Sequence, residues 1–306
     1  ATLPAGLTVT FGFPKVGQFR FPAAAYLGEL VIADIGIPSA LAAEVEVSLA
    51  TPELVRQLLP GRPAEAHKGT FGKAMVVAGS ANYVGAAYLA SAAALRVGAG
   101  LVTLALASSL HPILAAKLTE VTYLLLPGDR GALIPAGVKL LRENLGGYRA
   151  LLVGPGLGRD PKTVDFVREL LGVAEPGGTQ RIGFLPPTRG ETSAAGASQP
   201  AAWAIDADGL NALADTPRWW ERLSVPAVLT PHPGEMARLL AISVAEVERD
   251  RLAIARQAAR EWGQVVVLKG AYTVIAAPDG RATINPFANP GLASAGTGDV
   301  LAGAVV

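Results

Sequence analysis

From Lys73 onward the chain alternates short, almost wholly apolar runs with helical stretches, and this alternation restricts its fold more than any other feature. The runs are Lys73–Ala78, Leu101–Ala107, Val121–Leu126, Arg149–Val153, Trp203–Ile205, Val225–Leu229 and Val265–Leu268. They are short enough to be strands and lack the apolar–polar alternation of a strand with one wet face. A strand that is apolar on both sides must be covered on both sides, as in a mainly parallel sheet between helices. Helices are expected at Gly85–Val97, Ser109–Lys117, Ala136–Leu145, Lys162–Leu171, Glu235–Leu240 and Val244–Trp262. Tyr272–Ala277 and Arg281–Ile284 form a hairpin turning at Pro278-Asp279-Gly280. The expected class is therefore α/β with a large, mostly parallel sheet.

Two regions depart from this pattern. Residues 1–50 offer strands at Leu7–Phe11 and Glu29–Ile35 with no helix between them; a short helix, Thr51–Leu59, follows with Thr51 as N-cap and Pro52 at its first position. The Pro/Gly-bearing stretch Gly61–Thr70 is a candidate linker. Gly172–Ala202 is rich in Gly, Pro, Ser, Thr and Ala and is expected to be a surface insertion, with one short strand near Arg181–Leu185.

Composition excludes some chemistries. The chain has no cysteine, so thiol catalysis, disulfides and cysteine-ligated metals are out. Lys plus Arg (26) balances Asp plus Glu (25), which argues against nucleic-acid or membrane-surface partners. His67, His111 and His232 are too scattered to suggest a metal site by themselves. Ala1-Thr2-Leu3-Pro4 lacks the basic start and apolar core of a signal peptide. The long apolar run Val84–Ala107 is broken by Arg96 and glycines, so it reads as a helix and a strand. A soluble, cytoplasmic protein is expected.

The polar and Gly-rich clusters fall after strands, where open α/β sheets bind ligands. In Gly296-Thr297-Gly298-Asp299 the glycines open backbone amides at a helix start, a place suited to phosphate. Asp299 there is either a proton acceptor for an attacking hydroxyl or a plain helix cap. His232, between two prolines, is either a ligand contact or a packed loop histidine. Glu235 is a helix-start carboxylate or an outer-shell Mg²⁺ ligand. Lys269-Gly270 could meet a phosphate or be a strand-end turn with a solvated lysine. Asp206 and Asp208 could hold Mg²⁺-bound water or cap a helix. Gly154-Pro155-Gly156-Leu157-Gly158 does not meet the dinucleotide-binding glycine pattern.

Taken together, these residues resemble the NAD(P)H-hydrate dehydratases. The resemblance is carried by His67-Lys68-Gly69, Phe71-Gly72-Lys73, Gly79-Ser80, Gly85-Ala86-Ala87, Gly154–Gly158, Asp206–Asn211, Thr230–Glu235, Lys269–Thr273 and Gly296–Asp299, in order across residues 67–303. It implies the ribokinase-like fold and an ADP- or ATP-dependent dehydration of hydrated NAD(P)H. The implied steps are phosphorylation of the ring hydroxyl, then elimination of phosphate. Asp299 is the implied base, with the Gly296 and Gly298 amides steadying the phosphoryl group. Lys269, Gly270, Ala271, Tyr272, Thr273 and Gly298 hold the nucleotide; Ala86, Gly156, His232 and Asp299 face the substrate; Mg²⁺ lies near Glu235. ADP is the expected co-substrate, on the fused-domain organisation alone.

Residues 7–38 are similar to the tail of an NAD(P)H-hydrate epimerase domain, which is fused upstream in bifunctional members. Residues 1–50 are thus expected to be an epimerase remnant and 51–306 a dehydratase domain cut short at its C-terminus, so no epimerisation is expected from this chain alone. The two N-terminal strands are expected to pair with missing upstream residues or a symmetry mate, giving a homo-oligomer. The alternatives are a hydroxymethylpyrimidine- or thiazole-type small-molecule kinase of the same fold, which more usually carries Asn where His232 stands, and a non-catalytic nucleotide-binding scaffold.

Overall fold

The structure is a computed structural model that describes residues 2–174 and 200–306. Its strands in chain order are β1 (Leu7–Phe11), β2 (Glu29–Ala33), β3 (Val47–Leu49), β4 (Lys73–Val77), β5 (Leu101–Ala107), β6 (Thr122–Leu126), β7 (Gly128–Asp129) and β8 (Ala132–Leu133). Then come β9 (Ala150–Val153), β10 (Ala202–Ile205), β11 (Ala227–Leu229), β12 (Val265–Leu268), β13 (Val274–Ala276) and β14 (Ala282–Ile284). The helices are α1 (Pro52–Leu58), α2 (Val84–Val97), α3 (His111–Ala115), α4 (Gly137–Glu143), α5 (Pro161–Leu171) and α6 (Asp208–Ala214). They continue with α7 (Pro233–Leu240), α8 (Val244–Arg249), α9 (Arg251–Trp262) and α10 (Thr297–Val305).

Ten strands form one sheet in the order β3-β14-β13-β12-β11-β10-β9-β4-β5-β6. Only the β12–β13 and β13–β14 pairs are antiparallel. The apolar runs behave as their composition requires: Met75, Val76, Val77, Leu104, Leu106, Leu151, Leu152 and Ile205 are wholly buried. From β4 the chain builds outward through β5 and β6, then returns to the other side of β4 with β9. Strand order therefore reverses between β4 and β9, and the crevice at such a point is where α/β sheets bind ligands.

The C-terminal helix α10 lies on α2 at backbone contact distance. A Cβ on Gly303 would stand 2.0 Å from the Ala90 carbonyl oxygen, so only glycine permits this approach. Small residues on both helices (Ala86, Ala87, Ala90 and Ala94 on α2, Ala302 and Gly303 on α10) are buried along the contact.

Several elements differ from expectation. The helix expected over Val244–Trp262 is two helices, because Asp250 leaves helical geometry (φ −149°, ψ 74°) and its Oδ1 caps Ala253 N at 3.1 Å. Ser109–Lys117 contracts to a 3-10 turn, Ser108–Leu110, followed by α3. Two 3-10 helices, Val16–Phe19 and Ala23–Tyr26, lie between β1 and β2 where no helix was expected. Strand β3 joins the large sheet beside β14, on the N-terminal side of the boundary expected at residue 50. The strand expected near Arg181–Leu185, with most of the Gly172–Ala202 insertion, lies outside the described residues.

Strands β1 and β2 form a separate parallel pair, in register from Leu7–Glu29 to Phe11–Ala33. Leu7, Val9, Phe11, Val31 and Ile32 on this pair are exposed. No described helix is long and apolar enough to cross a membrane.

Candidate active site

The loops that leave β4, β9, β10, β11 and β12 all emerge at the same end of the sheet. After β4, Gly79 N donates to Pro155 O (2.9 Å) and Ser80 Oγ to Gly156 O (2.8 Å), tying two loops across the strand-order reversal. A Cβ on Gly156 would lie 2.6 Å from the Ala86 Cβ, so Ala86 on the first turn of α2 and Gly156 are in contact. Gly154 adopts φ 132° and touches the Asp206 carbonyl oxygen, which a Cβ there would meet at 1.8 Å. Gly158 N donates to Asp208 Oδ2 at 2.8 Å, so the Gly154–Gly158 turn also grips the start of α6.

Asp206, which follows β10, is buried and faces an ammonium and a hydroxyl. Its Oδ1 accepts from Lys269 Nζ (2.6 Å) and from Thr230 Oγ1 (2.7 Å). Lys269 leaves β12, and its ammonium also lies 3.8 Å from Glu235 Oε2. Ala207, next to Asp206, holds φ 47°, a left-handed conformation that persists in a non-glycine residue only where its surroundings enforce it.

His232 is the N-cap of α7. Its Nδ1 accepts from Gly234 N (3.0 Å) and Glu235 N (3.4 Å), while Glu235 Oε2 accepts from His232 N (2.8 Å). This reciprocal cap satisfies amides at the helix start. With Nδ1 an acceptor, the ring proton stands on Nε2, 3.5 Å from Glu235 Oε1. The imidazole is half exposed at 51%, so it is not a packed loop histidine. Glu235 is buried and committed to this cap and to Lys269. Among the described residues no group of His, Asp and Glu side chains could hold a metal ion. The described residues therefore do not make a protein cage for Mg²⁺.

Asp299 sits at the third position of α10, after an N-cap at Gly296 that uses backbone alone, so the plain N-cap reading fails. Among the described residues no hydrogen bond acts on its carboxyl. Burial, then the like charges of Asp206 and more weakly Asp208, push its pKa above the ordinary carboxylate value, while Lys269 pulls the other way. Lys269 Nζ lies 3.7 Å from where a Gly298 Cβ would be, which puts the ammonium beside the first turn of α10. A Cβ on Gly296 would lie 2.6 Å from Leu89 Cδ1, so α2, which carries Ala86, also flanks this helix start.

The structure thus brings Gly298, Asp299, Lys269, Glu235 and His232 into one connected group, with Ala86 and Gly156 joined to it through Gly154, Asp206 and α2. It does not bring Ala271 or Tyr272 to that group: both line a cavity with Phe19, Phe21 and Arg251. Thr273 Oγ1 closes its own turn, donating to Gly270 O at 2.8 Å and accepting from Gly270 N at 3.3 Å. Sequence reasoning missed Thr230 and the pairing of Asp206 with Lys269. Its only signal was that these residues end three strands which prove to be neighbours.

The mostly parallel sheet, with a glycine-opened helix start at its carboxyl edge, is ribokinase-like, as two solved structures show. A solved ribokinase-like superfamily protein from Enterococcus faecalis shares the fold, with a TM-score of 0.66 at 24% identity over 85% of this chain and 79% of that one. A solved Bacillus subtilis ADP/ATP-dependent NAD(P)H-hydrate dehydratase, co-crystallised with ATP/Mg²⁺, gives a TM-score of 0.64 at 33% identity, with the same coverage.

The chain belongs to the NAD(P)H-hydrate dehydratase family, whose sequence model matches residues 74–178 and 194–306. It is 34% identical over 256 residues to the ADP-dependent (S)-NAD(P)H-hydrate dehydratase of Bacillus subtilis, covering 84% of this chain and 79% of that protein. It is 46% identical over 301 residues to the bifunctional NAD(P)H-hydrate repair enzyme Nnr of Moorella thermoacetica, covering 97% of this chain and 52% of that enzyme. The chain spans about half the length of the bifunctional relatives it matches.

Proposed function

We propose that this chain returns hydrated NAD(P)H to NAD(P)H by an adenine-nucleotide-dependent dehydration, with ADP as the phosphoryl donor. Hydrated NAD(P)H carries a hydroxyl on the reduced ring carbon beside the nitrogen, and hydroxide is a poor leaving group. The hydroxyl oxygen attacks the terminal phosphorus of ADP, the phosphoanhydride bond breaks to release AMP, and Asp299 takes the hydroxyl proton. The ring-nitrogen lone pair then expels phosphate, and loss of a proton from the neighbouring carbon restores the double bond.

The observation that carries this reading is Asp299: a carboxyl with no hydrogen-bond partner among the described residues, a raised pKa, and a lysine and open amides beside it. A base poised above the ordinary carboxylate range suits proton abstraction from a hydroxyl. The Gly296 and Gly298 amides, at the positive end of the α10 dipole, would hold the charge that develops on the phosphoryl oxygens. Lys269, fixed by Asp206, would meet the nucleotide phosphates together with the turn through Gly270, Ala271, Tyr272 and Thr273. The crevice edge at Ala86, Gly156 and His232 would receive the nicotinamide portion. Glu235 would act on any Mg²⁺ only through water.

The preference for ADP rests on the name of the Bacillus subtilis relative. The length of the bifunctional relatives supports an epimerase domain upstream of residues 1–50 in the whole protein, and residues 51–306 as the dehydratase unit. The test is to incubate the purified protein with hydrated NADH, ADP or ATP, and Mg²⁺, and to follow recovery of the reduced-nicotinamide absorbance. A stable phosphorylated alcohol without dehydration, seen by mass spectrometry, would instead identify a small-molecule kinase. Tight nucleotide binding without turnover would identify a scaffold.

A further inference from the structure

The turn 269–273 is held from a second side by residues that the reaction does not use. Arg251, the first residue of α9, donates from Nη2 to the carbonyl oxygens of Leu268 (3.0 Å) and Lys269 (2.9 Å). Gly270, at φ 144°, lies against that guanidinium: a Cβ there would be 2.4 Å from Nη1. Two residues on, Tyr272 holds the left-handed φ of 54°, and its ring meets Phe19 edge-on at 5.7 Å and Phe21 at 5.8 Å. Arg20, between these phenylalanines, pairs with Asp250 Oδ1 (2.6 Å) and donates to Arg249 O (3.0 Å), next to Arg251. The N-terminal segment is thus anchored at the α8–α9 junction and seats Tyr272.

We propose that Phe19 and Phe21 are positioning residues for the nucleotide turn: by seating Tyr272 they hold residues 269–273 in the conformation that binds the adenine nucleotide, so the N-terminal segment sets nucleotide affinity. This rests on the assignment of residues 269–273 to the nucleotide. A left-handed tyrosine persists only where its surroundings over-determine it, and the two rings supply that constraint. Without them the turn samples other conformations, and apparent affinity falls with the competent fraction. By linkage, nucleotide binding must tighten the N-terminal segment in return.

The experiment measures ADP–Mg²⁺ binding by calorimetry, without hydrated substrate, on the full chain, the Phe19→Ala/Phe21→Ala protein, Tyr272→Ala and the triple alanine variant. The double variant should bind ADP roughly fivefold to 150-fold more weakly, the range that two lost ring contacts support. The triple variant should bind no worse than Tyr272→Ala. In turnover, KM for ADP should rise while kcat and the KM for hydrated NADH stay put. In the wild type, ADP should slow proteolysis within residues 1–50, a readout that needs no variant. Unchanged ADP affinity in the double variant, additive losses in the triple, an equal fall in every kinetic parameter, or no protection by ADP would each overturn the proposal. If the binding pattern holds but no protein dehydrates the substrate, the inference stands and the proposed reaction falls. No ADP binding by the wild type would remove both.

Discussion

Replacing Asp299 with Asn separates proton transfer from binding. The two side chains have nearly the same shape, and the α10 cap at Gly296 uses only backbone, so the helix start and its amides should survive. What disappears is the proton acceptor. General-base removal costs about 10²–10⁴ in rate, or ~2.7–5.5 kcal/mol of barrier at 1.36 kcal/mol per decade. Nucleotide binding should hold or tighten, because a like charge beside the phosphates is gone. Absorbance recovery gives the rate and calorimetry with ADP gives the affinity. Turnover within a few-fold of wild type would refute the base assignment, and a parallel loss of ADP binding would show that the substitution had disturbed the helix start instead.

The pH dependence gives an independent check on the same residue. Asp299 must be ionised to accept a proton, and its pKa is raised by burial and by Asp206. The rate of the wild type should therefore fall as pH drops, through a value above the ordinary 3.8. Folding stability runs in the opposite sense. A carboxyl with a raised folded pKa binds its proton more tightly folded than unfolded, so stability is fully present below the ordinary value and is lost as pH rises through the raised one. The Asn variant should melt higher than wild type at neutral pH, and the gap should close below about pH 4.

Lys269→Met should weaken ADP binding and also destabilise the fold by roughly 3–5 kcal/mol in urea melts, because it leaves Asp206 buried with only Thr230. Adding Asp206→Leu should restore part of that stability without restoring binding. Gly303→Ala forces a Cβ toward the Ala90 carbonyl oxygen, and should lower stability by about 1–3 kcal/mol and reduce turnover by tilting α10 with Asp299. Replacing residues 175–199 with a short Gly/Ser linker should leave dehydration measurable, since the family match omits residues 179–193; loss of soluble protein would refute this.

Where composition alone determined structure, the sequence could be read closely. Leu101–Ala107 is a strand with those ends because every residue after Leu101 must be buried between helix layers. The break at Asp250 was hidden because apolar positions continue at helical spacing on both sides of it. Helix α6 was illegible for another reason. It starts after Ala207, with φ 47° and no capping side chain, in a stretch whose aspartates read as cation holders as readily as helix caps. Strands β3, β7 and β8 have two or three residues each, too few to carry a period, and exist only because partners lie beside them.

The candidate site divides along the same line. Gly296–Asp299, Lys269, His232 and Glu235 were each visible as chemistry placed after a strand or at a helix start. What they do to one another was not visible, because Asp206 and Lys269 are 63 positions apart and meet only through the parallel run of β10, β11 and β12. That meeting changes the roles. Asp206 read alone suggested a water-held cation, yet its buried carboxylate is already occupied by an ammonium and a hydroxyl. Its negative charge serves twice, fixing Lys269 beside Gly298 and raising the pKa of Asp299. The ammonium and the Asp299 carboxyl at the start of α10 are therefore both tuned by one carboxylate from another strand.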